Sequence, residues 1–234
     1  MKKSAIIVAG GAGTRMNAGI PKQFLVLGGR PVLMHCISAF LSYDASINLV
    51  VTLPKDHINS WEKLCRQYQF QLPHTVAVGG EFRFHSVKNA LALIPDDHLV
   101  AIHDGVRPLV SVALIRLVFE AAQAEGNCVP VVPLRESLRE IYGNENKPAD
   151  RRLFRVVQTP QVFLASTIKQ AYDQPFKESF TDDATALENL GEKIHLIEGD
   201  PFNIKITLSA DLIIANALMS ALSSGMEGFV QKPL

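Results

Sequence analysis

The chain has 234 residues, 47% of them apolar and 20% charged, which supplies ample material for a buried core and excludes a disordered or low-complexity protein. Lys plus Arg and Asp plus Glu number 23 each, so no overall field would draw the protein to nucleic acid or an anionic membrane, and any anion site must be local. The three cysteines, Cys36, Cys65 and Cys128, are odd in number and far apart with no Cys-x-x-Cys pair, which disfavours a disulfide framework and a zinc site and suits a reducing cytoplasm.

After Met1-Lys2-Lys3, the apolar run over residues 4–8 is too short for a signal peptide or a membrane span and reads as a first strand. It leads directly into Ala9-Gly10-Gly11-Ala12-Gly13-Thr14-Arg15-Met16. Small residues there let backbone N–H groups approach a phosphate chain without Cβ obstruction. A dinucleotide fingerprint from Gly11 would need glycine where Met16 stands, and a P-loop from Gly10 would need glycine where Arg15 stands, so both motifs fail. What remains is a glycine turn carrying Arg15, followed by Pro21-Lys22-Gln23, which brings two cations near one phosphate-sized opening. Glycine turns after strands also arise for steric reasons alone.

Further strands are predicted over 48–53, 75–78, 98–103 and 128–132, and helices over 32–41, 87–94 and 112–125, the last closed by Gly126. Ile6-Ile7-Val8 and Leu49-Val50-Val51 are apolar without alternation, as in parallel strands covered on both faces. The expected fold is α/β: a Rossmann-like, mostly parallel open sheet with helices on both faces, and ligands beyond the carboxyl ends of its strands. Chemistry is therefore sought after Val8, Val78 and His103. Residues 137–157 break the rhythm with a polar, turn-rich centre and read as a projecting β-hairpin arm. Helical spacing returns over 165–172, 182–190 and 210–222, with Ser209 as the cap of the last. No shift in composition divides the chain, so one domain is expected over 1–234.

Five spaced motifs make a more specific pattern: the glycine turn with Pro21-Lys22-Gln23, Gly79-Gly80-Glu81-Phe82-Arg83-Phe84-His85-Ser86-Val87, His103-Asp104-Gly105-Val106-Arg107-Pro108, Gln158-Thr159-Pro160-Gln161 and Asn203-Ile204-Lys205-Ile206-Thr207. Together, from about residue 5 to residue 217, they resemble the 2-C-methyl-D-erythritol 4-phosphate cytidylyltransferases and their ribitol 5-phosphate relatives. The resemblance implies an enzyme that joins CMP from CTP to a sugar-alcohol phosphate, in non-mevalonate isoprenoid precursor synthesis for the first acceptor.

By that resemblance Arg15 and Lys22 hold the CTP phosphates and stabilise the transition state, and Arg151 and Lys205 position the incoming phosphate. The reaction needs placed positive charge more than a nucleophilic side chain. Ala9, Gly10, Gly11, Gly13, Lys22, Gly80, Ser86 and Gly105 would line the CTP site. Asp104, Arg107, Ser137, Arg151, Thr181 and Lys205 would form the acceptor pocket, and Asp104 is also the candidate ligand of Mg²⁺, the implied cofactor.

Blander readings stand beside these. Taken alone, Ser86 reads as the N-cap of the 87–94 helix and Thr181 as the N-cap of 182–190, and Asp104 has a second reading as a turn residue or a partner of Arg107. A solvated surface charge is the ordinary fate of an Arg or Lys. Gly10, Gly105, Val106, Ser137 and His85 depart from the family pattern, where alanine, two alanines, threonine and an acidic residue are expected. The resemblance also implies a homodimer in which the arms cross between subunits, and the cysteine usage places it in the cytoplasm. Ribitol 5-phosphate remains an alternative acceptor, and a non-catalytic nucleotide-binding regulator is an alternative of another class. The lack of an Asp-x-Asp triplet disfavours a glycosyltransferase.

Overall fold

The computed structural model describes residues 1–10 and 20–223, so the expectations placed on Gly11, Gly13 and Arg15 lie outside the described residues. In chain order the elements begin with β1 (Lys3–Val8), the short pair β2 (Val26–Leu27) and β3 (Arg30–Pro31), α1 (Val32–Tyr43), β4 (Asn48–Leu53), α2 (Ile58–Gln67), β5 (Thr75–Val78) and α3 (Arg83–Leu91). The middle of the chain forms β6 (Leu99–Asp104), α4 (Val112–Glu125), β7 (Asn127–Pro133), β8 (Leu138–Tyr142), β9 (Glu145–Ala149) and β10 (Arg155–Val157). The chain continues through β11 (Gln161–Leu164), α5 (Ala165–Asp173), α6 (Asp183–Glu188), β12 (Leu196–Glu198) and α7 (Ser209–Ser223).

The main sheet runs β10-β7-β11-β6-β1-β4-β5, with β12 also on β7. β1 pairs in parallel with both β4 and β6, and β4 with β5, which brings the carboxyl ends of four strands to one edge. β11 enters antiparallel between β6 and β7.

The unalternating apolar runs have the cause expected of them. Ala5, Ile7, Leu49, Val51, Leu99 and Ala101 face one core with α1, α2 and α4, while Ile6, Val8, Val50, Val100 and Ile102 face another with α3, α5 and α6. Two-sided burial leaves no solvent face for polar residues to mark. α4 begins at Ser111, whose side chain accepts the Leu114 N–H, and ends at Gly126 with φ 85°, the left-handed cap that its glycine permits.

The 137–157 excursion forms the expected hairpin: β8 and β9 pair with each other in a separate two-stranded sheet, and β10 returns to the edge of β7. Ile141 and Leu153 on it are 68% and 81% exposed, and Tyr142, Phe154, Val156 and Val157 are exposed too.

Three cap assignments are corrected. The helix expected from residue 87 starts at Arg83 after an extended Phe82, so Ser86 lies inside it. Its hydroxyl donates to the Phe82 carbonyl one turn back and accepts the Gly80 N–H, an alternative use of serine that spacing cannot distinguish from capping. Asp182, not Thr181, caps α6 by accepting the Thr185 N–H. The 210–222 helix begins at Ser209 itself, and the Asp211 carboxylate gathers the Thr207 and Leu208 N–H groups at its entry. β2, β3, β11 and β12 have two to four residues each and were not anticipated, because so short a run carries no readable period.

Candidate active site at the carboxyl ends of the strands

Where β1 leaves the sheet, the Ala9 N–H donates to the Thr52 carbonyl at 3.1 Å, and the Gln23 amide donates to the Ala9 carbonyl at 2.9 Å. The backbone is thus pinned from both sides as it enters the glycine turn. A Cβ on Gly10 would lie 2.5 Å from Ser86 Oγ, and one on Gly105 would lie 3.1 Å from Ala9 Cβ and 3.2 Å from the Val8 carbonyl oxygen. Ala9, Gly10, Ser86 and Gly105 therefore form one closely packed floor, with Gly80 tied to Ser86 by its N–H at 3.0 Å.

Lys22 opens a short turn, Lys22–Phe24, after the extended Pro21. Phe24 stacks on Trp61 of α2 with ring centroids 6.0 Å apart, anchoring this turn to the core. The Lys22 ammonium donates to the Thr207 carbonyl, and Thr207 is held by its N–H and hydroxyl on Asp211 Oδ2, both at 2.7 Å. The glycine-turn motif and the Asn203-to-Thr207 motif, far apart in sequence, thereby meet.

Residues 204–207 lie outside the sheet with no regular secondary structure. Ile206 is buried and donates its N–H to the Val106 carbonyl at 2.8 Å, while the neighbouring Lys205 turns the other way and reaches Asp104 Oδ2 at 3.0 Å. Arg107 Nε lies 3.4 Å from Asp104 Oδ2, and Arg83 Nε lies 3.4 Å from Oδ1. Burial alone would raise the Asp104 pKa, but Arg83, Lys205 and Arg107 override it and hold the carboxyl far below the usual range. Burial lowers the pKa of Arg107 against the pull of Asp104; its guanidinium also donates to the Asn203 carbonyl at 2.8 Å.

His103 is fully buried, and burial pushes its pKa down to about 4. The hydrogen-bond network assigns its tautomer: Nε2–H donates to the Arg107 carbonyl at 3.1 Å, and Nδ1 accepts the Thr159 hydroxyl at 3.1 Å. Thr159 Oγ1 in turn accepts the Asp104 N–H at 3.0 Å. A neutral histidine thus ties the two ends of the Asp104–Arg107 turn together.

Among the sequence-predicted residues, the structure gathers Ala9, Gly10, Gly80, Ser86, Gly105, Asp104, Arg107 and Lys205 at this edge, with Lys22 joined through Thr207. Ser137 and Arg151 do not join them within the chain. Ser137 is exposed at the base of the arm, and the exposed Arg151 donates to the Arg135 carbonyl. Thr181 is exposed just before α6, its hydroxyl 3.4 Å from that of Thr185.

Sequence reading missed Gln23, Arg83, Thr159 and Asp183, although the first three lie inside quoted motifs. Their signal was present in those motifs, but their partners are remote: Arg83 binds Asp183, 100 residues away.

An open α/β sheet with a glycine floor beside a fixed cluster of cations, all at the carboxyl edge of the strands, defines a transferase of nucleotidyl groups. The family model for 2-C-methyl-D-erythritol 4-phosphate cytidylyltransferase (IspD) matches residues 4–221, and the chain belongs to that family. Proteins named 2-C-methyl-D-erythritol 4-phosphate cytidylyltransferase from Bacteroides thetaiotaomicron and Porphyromonas gingivalis are 48% and 46% identical to it, each alignment covering 94% of this chain and 100% and 99% of theirs. The solved structure of the Thermus thermophilus enzyme of that name superposes with a TM-score of 0.76 at 31% identity, over 94% of this chain and 100% of that one.

Proposed function

We propose that the chain transfers CMP from CTP to 2-C-methyl-D-erythritol 4-phosphate. A phosphate oxygen of the acceptor attacks the α-phosphorus of CTP, the bond to the bridging oxygen breaks, and pyrophosphate leaves. The observation that carries the reading is the ring of Arg83, Arg107 and Lys205 around Asp104 at the sheet edge, beside the glycine floor. These three cations share two carboxylates, Asp104 and Asp183, and still leave the site net positive, as the union of two polyanions requires.

In this reading Ala9, Gly10, Gly80, Ser86 and Gly105 receive the nucleotide, with Gly11 and Gly13 from the glycine turn. Lys22 and Arg15 hold the triphosphate and the charge that develops at the α-phosphorus. Lys205, with its ammonium partly exposed, receives the acceptor phosphate. Asp104 and Arg107 shape the acceptor pocket, to which Thr181, Ser137 and Arg151 would add contacts.

Among the described residues no three His, Cys, Asp or Glu side chains stand close enough to form a metal cage. Asp104, the candidate protein ligand of Mg²⁺, has both carboxylate oxygens engaged by Arg83, Arg107 and Lys205 and does not fit that role in this arrangement; Mg²⁺ arriving with the triphosphate would neutralise charge on the leaving pyrophosphate. The exposed apolar residues of the arm support a homodimer, since an isolated hairpin bearing Ile141, Leu153 and Phe154 is marginal in water. Arg151 and Ser137 would then complete the partner's pocket. Among the described residues no helix is long and apolar enough to cross a membrane, and a cytoplasmic setting is part of the proposal.

The test is parallel incubation with CTP, Mg²⁺ and either methylerythritol 4-phosphate or ribitol 5-phosphate, reading pyrophosphate release. Release with the first acceptor is expected. Release with ribitol 5-phosphate alone would transfer the assignment to that acceptor, and release with neither would favour a non-catalytic nucleotide-binding protein.

A further inference from the structure

Asp183 is fully buried at the first turn of α6 and has no role in the chemistry above. Its two carboxylate oxygens accept parallel hydrogen bonds from Arg83 Nη1 and Nη2, both at 2.7 Å, and the Tyr172 hydroxyl donates to Oδ1. Such a two-pronged pairing fixes the plane of the guanidinium as well as its position. The remaining nitrogen, Arg83 Nε, is directed at Asp104 Oδ1. Arg83 therefore bridges a buried carboxylate to the carboxylate at the centre of the candidate site.

The supports of this bridge are themselves built in. Gln161 donates to Asp182 Oδ2 at 2.7 Å and accepts the Ala184 N–H at 2.9 Å, so the Gln-Thr-Pro-Gln stretch clamps the chain on either side of Asp183. Tyr172 stacks on Phe84, which follows Arg83 in α3, with centroids 4.5 Å apart. Burial would lower the Arg83 pKa, but Asp183 and Asp104 raise it well above its ordinary value, so the guanidinium stays charged. An ion pair with one partner fully buried and the other 29% exposed is a poor device for stability, because the desolvation penalty offsets much of its attraction. What it supplies is a fixed geometry.

We propose that Arg83 and Asp183 form a positioning pair for the acceptor half of the site: Asp183 locks the Arg83 fork, and Arg83 holds Asp104 where it presents Lys205 and Arg107 to the acceptor phosphate. The proposal rests on the reading of the site given above. The pair acts on the acceptor side because the nucleotide floor closes without it, through the Gly80 N–H on Ser86 Oγ and the Ser86 hydroxyl on the Phe82 carbonyl. Asp104, by contrast, touches Lys205 and Arg107 directly, and Asp183 lies two residues after Thr181. Without Asp183, the fork would be free to take both oxygens of Asp104 and draw it away from the other two cations.

The test uses Asp183→Asn, which keeps the shape and loses the charge, and Arg83→Lys, which keeps the charge and loses the fork. Steady-state constants are measured for each variant and for the double variant, varying CTP and acceptor separately, with melting temperatures in parallel. Each single variant is expected to raise the acceptor KM about tenfold while the CTP KM stays within about twofold, as for loss of one charged hydrogen bond. The double variant is expected to be no worse than the worse single one, since either change breaks the same link.

An unchanged acceptor KM in a folded variant would overturn the proposal, as would additive effects. A uniform rise of both KM values that follows the loss in melting temperature would also overturn it, leaving a structural role only. Wild-type activity in Arg83→Lys would do the same. If Asp183→Asn does not fold, Tyr172→Phe removes one hydrogen bond to Asp183 and is expected to raise the acceptor KM alone, by a smaller factor; no change would count against the pair. Wild-type turnover tests the functional reading itself, and if another phosphorylated polyol proves to be the acceptor, the same ratios are read on it.

Discussion

Lys22 and His103 are both buried, yet they answer to different measurements. Lys22 rests its ammonium on the Thr207 carbonyl, a neutral partner, with the Asp211 carboxylate close enough for the two charges to interact. Lys22→Ala is expected to lower kcat about a hundredfold or more, since a transition-state charge contact contributes ~3 kcal/mol, with a melting temperature close to wild type. Near-normal kcat would remove Lys22 from the catalytic set. His103 governs stability instead. Burial holds its folded pKa at about 4, below the ordinary 6.5 of histidine, so between those values the unfolded chain binds more protons than the folded one. The contribution is complete above pH 6.5 and is lost as pH falls towards 4, amounting to roughly 3 kcal/mol. The lowered pKa of His35, also caused mainly by burial, adds in the same direction. Denaturant titrations from pH 7 to pH 4 check this: His103→Gln, which retains polar atoms for Thr159 and Arg107, should flatten the pH dependence, and an unchanged profile would assign the loss elsewhere. Lys22, Asp104 and Lys205 were legible in the sequence because they stand inside motifs. Asp183 was not, because its meaning depends on a guanidinium that only folding brings to it.

Among the elements, β1, β4, β6 and α4 were readable because burial on two faces, or a cap at each end, leaves a strong pattern, while β5, with only Ala77 buried, was readable from its β-branched residues. β11 was not, since its four residues directly follow the Gln-Thr-Pro motif and insert antiparallel into an otherwise parallel run. The start of α3 was displaced for a physical reason: Ser86 bonds back to Phe82 from within the helix, so its hydroxyl marks no boundary. The arm was legible as a hairpin but not in its purpose, because exposure of Ile141 and Leu153 becomes informative only once no face formed by the described residues covers them. Its role can be checked by co-refolding Lys22→Ala chains with Arg151→Ala chains. If each arm serves the partner's site, half of the randomly formed dimers are mixed and one of their two sites is intact, so about a quarter of wild-type activity should return. No recovery would place Arg151 at the site of its own chain.

At the scale of the whole molecule, the parallel core of the sheet brings strand ends and their motifs to one edge, and the motifs meet there through contacts between remote segments. Lys22 reaches Thr207, Arg107 reaches the Asn203 carbonyl, and Asp104 gathers charges from three parts of the chain. Zero net charge and a locally cationic site are compatible because the field is local, and the rest of the chain balances it. The central claim is that this edge moves a cytidylyl group by attack at the α-phosphorus. The most direct measurement follows the label from CTP carrying ³²P at either the α or the γ position, in the presence of Mg²⁺ and methylerythritol 4-phosphate. The α label is expected in the nucleotide-linked acceptor and the γ label in pyrophosphate. Transfer of the γ label to the acceptor, or no transfer of either, would contradict the account.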